Sequence, residues 1–371
     1  MNNTEKDSDN LIMTIMENYD KDLQCYNLDN KNGTNMWDVF NDKFIFFIKD
    51  YDNWKYFRRN GLTCGIETGL LQTDREKYLG IKKYTEYNVD EIKQVIDRYN
   101  ELSNMINNKE IIENYLCSNV GNPRTHVLTN DISLNVDDLY ILYSFWQIIR
   151  YIKLLNFSCN TILEIGGGYG NLTCKLLKWC KSLKLYENTT FILVDLPETL
   201  ILQHYYIKMN NPDYKIQKIN SITDTIDMNN DVILVPCSYV NVLNETNFDL
   251  VVNMRSFGEM NNTILETYFD LINKNINDNG LMYTINRYVT SRGKDTIKFK
   301  NYQFGDNWET ICSHPTWLQT HSHEMLIRKK ENPLIPFSHI LQSFPNISPP
   351  PGPYSFDYDL HKWAKNNNIL V

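Results

Sequence analysis

Between residues 161 and 285 the chain alternates short apolar runs with stretches of helical character. The runs are Thr161–Leu163, Thr190–Val194, Val232–Val235, Phe248–Asn253 and Leu281–Ile285. A strand apolar at consecutive positions must be buried on both faces, which occurs in a parallel sheet covered by helices on either side. Helical stretches follow at Leu172–Leu185, Glu198–Met209 and Glu259–Ile276, the last ending at the turn Asn277-Asp278-Asn279-Gly280. The mostly short connections predict an α/β fold built from crossover units.

The first run leads into Glu164-Ile165-Gly166-Gly167-Gly168-Tyr169-Gly170. Glycine at alternate positions after a strand lets backbone turn sharply and approach a ligand that any Cβ would hold off. A dinucleotide fingerprint requires its third glycine one residue later, where Asn171 stands. The second run ends in Asp195-Leu196-Pro197. An acid at the end of the second strand accepts two hydrogen bonds from ribose hydroxyls. The same residue also suits an N-cap, with Pro197 in the first turn of the next helix.

Alternate glycines after a strand-terminal Glu resemble motif I of the S-adenosylmethionine-dependent methyltransferases. There the acid reaches the methionine end of the cofactor, and the glycines pass beneath its ribose and amino acid. The resemblance implies a class I methyltransferase core, a Rossmann-like seven-stranded sheet with helices on both faces and an antiparallel final strand. Strands six and seven would come from about residues 296–330. The cofactor would be held by Glu164, Gly166, Gly167, Gly168, Gly170, Asp195, Leu196 and Asn253. Ser238 and Tyr239, after the third strand, would lie near its adenine.

A narrower likeness rests on Glu164 through Gly170, Asp195 through Tyr206, Asn253 through Met260 and Asn286-Arg287-Tyr288. With the upstream Val120-Gly121-Asn122-Pro123 and the helix Asp138–Ile152, these segments are similar to the sugar O-methyltransferases of microbial glycan gene clusters. The likeness spans about residues 118–330. It implies methyl transfer from S-adenosylmethionine to the hydroxyl of a sugar or glycoconjugate acceptor. Asp195-Leu196-Pro197 also resembles the second motif of phenolic and polyketide O-methyltransferases, whose usual catalytic histidine has no clear counterpart here. A non-catalytic cofactor-binding scaffold is the reading from another class.

In-line alignment of donor and acceptor supplies much of such a reaction's rate. A base that takes the acceptor proton adds roughly 10²–10⁴-fold. Glu259, at the start of the helix after the fourth strand, is the first candidate, with a helix cap as its other reading. Arg255 and Ser256 follow the same strand, and Arg287 follows the fifth, on the edge where open α/β sheets bind ligands. Arg287 suits a sugar hydroxyl, carboxylate or phosphate. His314, in an expected loop before Pro315, is a further candidate. His204 reads as packing within a helix, while His321 and His323 share one face of an expected strand, His321–Arg328. His323-Glu324-Met325-Leu326-Ile327 begins like a zinc-protease motif but lacks its second histidine. Asp249, Glu259 and Asp306 are the acids that would have to converge on a divalent cation; no compact acidic motif demands one, and none is expected to be required.

A chain of 371 residues with 42% hydrophobic side chains has ample core. Its net charge of −8 and lack of basic runs oppose nucleic acid as a partner. The cysteines at 25, 64, 117, 159, 174, 180, 237 and 312 form no CxxC pair, which speaks against zinc or a disulfide framework. Unpaired cysteines, a polar Met1–Asp7 unlike a signal peptide, and no bilayer-length apolar run make the cytoplasm the expected location. Residues 1–125 read as a mainly helical extension, 126–345 as the cofactor-binding domain and 346–371 as a Pro-rich tail. Within the extension, Asn88–Leu116 reads as one or two helices, interrupted near Asn107-Asn108-Lys109. The aromatic segment Trp37–Phe57 suits a packed helix, a homo-oligomer contact or a lid over the acceptor. In the tail, Ser348–Pro353 favours extended backbone.

Overall fold

The five apolar runs lie in one sheet, hydrogen-bonded to one another. The computed structural model describes residues 10–16, 51–59, 86–116, 118–129, 132–184, 186–292, 295–317, 322–342 and 344. In chain order the labelled elements are α1 (Val89–Ile106), α2 (Lys109–Tyr115), a hairpin of β1 (His126–Thr129) and β2 (Ile132–Leu134), and α3 (Val136–Leu154). Then come β3 (Thr161–Ile165), α4 (Asn171–Lys181), β4 (Thr190–Asp195), α5 (Pro197–Asn210), β5 (Ile216–Lys218), β6 (Val232–Pro236) and β7 (Phe248–Met254). The remainder is α6 (Asn262–Asn275), β8 (Ile276–Arg287), a hairpin of β9 (Val289–Arg292) and β10 (Asp295–Lys298), β11 (Trp308–Pro315), β12 (Ser322–Lys329) and α7 (Phe337–Leu341).

The large sheet has the order β5-β6-β4-β3-β7-β8-β12-β11. Strands β5 through β8 are mutually parallel, and β12 runs antiparallel to both β8 and β11. This is a Rossmann-like arrangement, with eight strands rather than the expected seven. The additional strand is β5, three half-buried residues at the edge, too short and polar to stand out as an apolar run. Successive connections leave β3 and β7 in opposite directions across the sheet, so a crevice opens between their carboxyl ends.

Alternate residues of β3 enter different cores. Ile162 joins the cluster that includes α3, α4 and α5 side chains, whereas Leu163 and Ile165 join the one with α6 and α7. Burial on both faces explains the continuous apolar runs. Helix α3 is covered nearly all round: of its 19 residues, 15 are buried. Helix α1 begins in a capping box of Asn88 and Glu91 and ends at Asn107, whose left-handed φ of 45° stops it. The Asn108 side chain then caps α2 by accepting from the Ile111 N–H at 3.1 Å. Two adjacent caps thus account for the interruption read at Asn107-Asn108-Lys109.

Several boundaries differ from expectation. Helix α4 stops at Lys181, with Ser182 as its C-cap, short of Leu185. Helix α6 starts at Asn262, after the Asn261 side chain caps the Ile264 N–H at 2.9 Å. Glu259 therefore lies ahead of it, in the 3₁₀ turn Phe257–Glu259. Asn277-Asp278-Asn279-Gly280 is not a chain reversal: β8 already pairs with β7 at Ile276, and the four residues absorb a register shift. His314 lies in β11 and not in a loop; Pro315 ends that edge strand, a place where its missing N–H is tolerated. Trp37, Phe40, Phe44, Phe47, His321, Cys25, Cys64, Cys117 and the Pro-rich tail lie outside the described residues. No helix among the described residues is long and apolar enough to cross a membrane.

Candidate functional site

Strand β3 delivers Glu164 and the glycine turn to the carboxyl edge of the sheet. The Gly166 N–H bonds the Val194 carbonyl at 2.9 Å, stitching the turn to β4. A Cβ on Gly166 would overlap the Ser256 side chain, and one on Gly167 would crowd the Glu164 carboxylate. Gly168 differs: its φ of 59° is left-handed, and a Cβ there would meet no heavy atom within 4 Å. The turn is therefore packed behind and open in front. Gly170 is the N-cap of α4 and brings no capping side chain.

Two acids flank this open side. Glu164 is buried and accepts from the Thr173 hydroxyl on α4; burial pushes its carboxyl up to about 7. Asp195 Oδ1 accepts from the Leu196 N–H at 2.8 Å, and Oδ2 from Gln203 Nε2 at 2.8 Å. Burial pushes Asp195 up to about 8, and the neighbouring Glu198 and Glu164 add to the effect. Leu196 is the N-cap of α5, with no side-chain cap, so the alternative of Asp195 as that cap does not hold. Among the described residues neither carboxylate makes an ion pair, and each is shifted chiefly by burial.

Gln203 was not legible as a site residue. Its amide nitrogen also donates to the Gly168 carbonyl at 2.8 Å, tying acid to glycine turn, and its buried Oε1 has no hydrogen-bond partner among the described residues. The available signal is a single amide among Leu200, Ile201, Leu202, Tyr205, Tyr206 and Ile207 on a buried helix.

Across the crevice, Asn253 is buried and engaged at both ends of its amide. Nδ2 donates to the Ile165 carbonyl at 2.9 Å and to Ser256 Oγ at 2.6 Å, while Oδ1 accepts from Asn286 Nδ2 at 2.8 Å. It braces β3, β7 and β8 where their ends meet. Arg255 follows with a φ of 69°, unusual for a side chain of its size, and its N–H bonds the Ile285 carbonyl. Glu259 is half-buried, as is Arg287 at the end of β8. After β6, Ser238 is exposed and Tyr239 half-buried within the turn Cys237–Leu243. The carboxyl edge thus gathers Glu164, Asp195, Leu196, Ser238, Tyr239, Arg255, Glu259 and Arg287.

The histidines divide by environment. His314 lies on β11, with β12 between it and β8, its Nδ1 2.9 Å from the Pro315 carbonyl. Burial works to lower its pKa, yet Cys312 and the facing Glu324 raise it overall. An imidazole held protonated is a cation and not a base. His323 is fully buried, with Nδ1 2.8 Å from the Tyr288 hydroxyl and Nε2 2.7 Å from Ser313 Oγ. Burial pushes it well down, as for a neutral core histidine. His204, in α5, is pushed down to about 4 by burial, with Lys208 and Lys218 adding. Glu324, beside His323, is buried under α3 and accepts from Tyr143 at 2.5 Å, Tyr283 at 3.0 Å and Gln147 at 3.2 Å.

Asp249 lies at the amino end of β7, next to Phe248, and accepts from the N–H groups of Asn160 and Thr161 at 2.7 and 3.0 Å. It stands at the opposite end of that strand from Glu259, so the two acids do not converge on one ion. Among the described residues no group of three or more His, Cys, Asp or Glu is placed to hold a metal. A cleft lined by Leu155, Asp249, Asn277 and Arg328 also lies at this amino edge, away from the glycine turn.

No family model matches the sequence, and neither does any curated protein. Solved structures similar to the chain include TehB from Haemophilus influenzae, at 15% identity and a TM-score of 0.33, covering 50% of this chain and 62% of that one. An S-adenosylmethionine-dependent methyltransferase from Clostridium acetobutylicum gives 13% identity and 0.33, covering 50% and 90%. The mitomycin 7-O-methyltransferase MmcR gives 11% and 0.31, covering 52% and 57%. The chain therefore spans less than two thirds of the length of TehB and of MmcR.

Proposed function

We propose that the chain is an S-adenosylmethionine-dependent methyltransferase that methylates a sugar hydroxyl in glycan or glycoconjugate biosynthesis. The observation that carries the donor is the pair of raised, buried acids beside the open face of Gly168. A ligand that brings ribose hydroxyls and positive charge supplies what those acids lack. The bound cofactor contributes a methyl group on a positively charged sulfur. Asp195 would take the ribose hydroxyls, with Gln203 and the Leu196 N–H fixing the carboxylate. Glu164 would face the methionine end across Gly166, Gly167 and Gly168, with Gly170 opening the helix behind. Leu196, Ser238 and Tyr239 would border the adenine, and Asn253 would hold the crevice in shape.

On the acceptor side, Arg287 and Arg255 would orient the sugar through hydroxyl or anionic groups, and Glu259 would take the proton of the reacting hydroxyl. His314 fits a charged wall of the acceptor space better than a base. A phenolic or polyketide acceptor is the second reading. The sugar is favoured because the segments after β7 and at the end of β8 carry Ser256, Glu259 and Asn286-Arg287-Tyr288 where those enzymes carry their usual catalytic histidine. A cytoplasmic location and independence of metal belong to the same proposal.

Calorimetric titration with S-adenosylhomocysteine tests the donor; folded protein that binds none refutes it. Labelled S-adenosylmethionine offered with sugar and phenol acceptors separates the two acceptor readings. With the preferred acceptor, Glu259→Gln should lower turnover roughly 10²–10⁴-fold while cofactor affinity stays unchanged. Undiminished turnover would remove Glu259 as the base.

A further inference from the structure

A buried charge cluster lies behind the glycine turn. Asp137 and Asp138 open α3 side by side, and both are buried. Arg58, from the 3₁₀ turn Phe57–Arg59, is fully buried and donates to Asp138 Oδ2 at 2.7 Å, Asn135 Oδ1 at 3.0 Å and the Ser118 carbonyl at 2.7 Å. Its Nη2 is also 3.8 Å from Asp137. Lys175 on α4 reaches Asp138 Oδ1 at 3.2 Å. Two carboxylates and two cations share a space closed to water.

The non-glycine residues of the turn end in that space. Tyr169, between Gly168 and Gly170, donates its hydroxyl to Asp137. Asn171 donates to Asp138 Oδ1 at 3.0 Å and to the Tyr169 hydroxyl at 2.9 Å. The Arg58 guanidinium lies over the Tyr169 ring, 5.2 Å from its centroid, and Phe57 meets the same ring edge-on at 5.4 Å. Phe57 in turn fills the space where a Cβ on Gly121 would fall. Three of the turn's anchors matter here. Gly166 bonds β4 and Gln203 holds the Gly168 carbonyl; the third, through Tyr169 and Asn171, runs to a chain segment more than one hundred residues earlier.

We propose that Arg58 is a positioning residue for the cofactor turn, acting through Asp137 and Asp138 on Tyr169 and Asn171. The segment carrying Phe57 and Arg58 is then part of the cofactor site rather than an appendage to it. This rests on reading the turn as a cofactor site. The charge balance explains why an arginine is needed. Burial already pushes Asp137 up, against the pull of Arg58, with Asp138 adding to the rise. Asp138 is held down at about 2: burial opposes this, and Arg58 and Lys175 overcome it. Without Arg58, Lys175 alone would face two buried carboxylates, and one would take a proton. A protonated Asp137 is a donor as well as an acceptor, so the Tyr169 hydroxyl would lose its fixed orientation. A lysine keeps the charge but not the planar fork that spans Asp138, Asn135 and Ser118.

The test compares S-adenosylhomocysteine affinity and thermal stability for the full chain and four variants. Arg58→Met, Arg58→Lys and Tyr169→Phe disturb the anchor. Glu309→Gln weakens a separate cluster at the amino end of β11, where buried Glu309 pairs with the partly exposed Arg328 and Lys330. Arg58→Met and Tyr169→Phe should each weaken binding about tenfold or more, the loss expected when a charge-assisted hydrogen bond is removed. Arg58→Lys should retain part of the affinity, and Glu309→Gln should bind as the unsubstituted chain does despite a lower melting temperature. If the Arg58 variants fail to fold, the milder Tyr169→Phe decides. Unchanged affinity in Tyr169→Phe and the folded Arg58 variants overturns the positioning role alone. Equal loss in Glu309→Gln overturns it too, by showing that affinity follows stability. No binding by the unsubstituted chain overturns the cofactor reading, and this inference with it.

Discussion

Cofactor affinity should rise steeply with pH between 6 and 8. The perturbation is proton concentration alone, and it acts on Asp195, whose carboxyl is pushed up to about 8 by burial and by Glu198 and Glu164. If ribose hydroxyls bind the ionised form, the competent fraction is about 1% at pH 6 and about one half at pH 8. Affinity should therefore increase about 50-fold, or ~2.3 kcal/mol, from this residue alone. Glu164, at about 7, steepens the rise in the same direction. The sign for the ligand-free fold is the opposite. A folded-state pKa above the ordinary carboxylate value means that the folded chain keeps a proton the unfolded chain gives up. Asp195 thus costs stability increasingly as pH rises from about 4 towards 8, and the melting temperature of the free protein should fall over that range. Calorimetric titration with S-adenosylhomocysteine at pH 6, 7 and 8, in buffers of different ionisation enthalpy, reads both affinity and proton release. A dissociation constant that stays flat from pH 6 to 8, with the same heat in both buffers, refutes the assignment of Asp195 as the ribose acceptor. Asp195→Asn should flatten most of the dependence.

Gly166→Ala places a methyl group against Ser256 at a left-handed φ of 71°, and should cost about 2–4 kcal/mol in urea unfolding; a loss under 1 kcal/mol would contradict the close packing behind the turn. Gln203→Leu removes the donor shared by Gly168 and Asp195, so the pH midpoint of cofactor binding should move upward and affinity at pH 7 should fall about tenfold. An unchanged midpoint would separate Gln203 from the site. Glu324→Leu leaves Tyr143, Tyr283 and Gln147 without their shared acceptor and should destabilise the chain by about 3 kcal/mol or more, measured by the same unfolding. Stability within 1 kcal/mol of the unsubstituted chain would show that these donors find other partners.

The parts of the fold legible in sequence are those where one physical constraint acts alone. Strands β3, β4, β6 and β7 are buried on both faces, which selects mostly apolar side chains, with hydrogen-bonded exceptions such as Glu164 and Asn253 near their carboxyl ends. Strand β5 satisfies a weaker condition, an edge position with half-buried residues, and leaves no such trace. Local signals misled where two structures use the same residues. Asn277 through Gly280 carry turn chemistry, but their setting between paired strands uses it as a bulge. Glu259 looked like a helix start, yet Asn261 is the residue whose side chain reaches an orphan amide.

The site divides in the same way. Glu164, the glycines and Asp195 lie at strand ends, where chain position alone predicts their edge. Gln203 reaches the same turn from within a helix, which requires knowing the face of α5. Arg58 and Asp138 are 80 residues apart, and no local pattern links them. The sequence places His314 in a loop and His323 on a strand, but the opposite directions of their pKa shifts depend on surroundings it does not show: Cys312 and Glu324 for one, full burial with Tyr288 and Ser313 for the other.

The two outer strands of the sheet also bear on how copies of the chain meet. An open strand edge offers unpaired amides and carbonyls to any passing strand, a template for filament growth. At one side β5 presents three residues, and Gln217 binds the Thr225 carbonyl and the Asp227 N–H of its own covering loop. At the other, the Thr310 N–H bonds the Ile335 carbonyl, Glu309 bridges Pro336, and Pro315 lacks a donor altogether. Both rims are shortened or occupied by the chain itself. At these two rims the chain itself thereby opposes strand-to-strand joining between molecules.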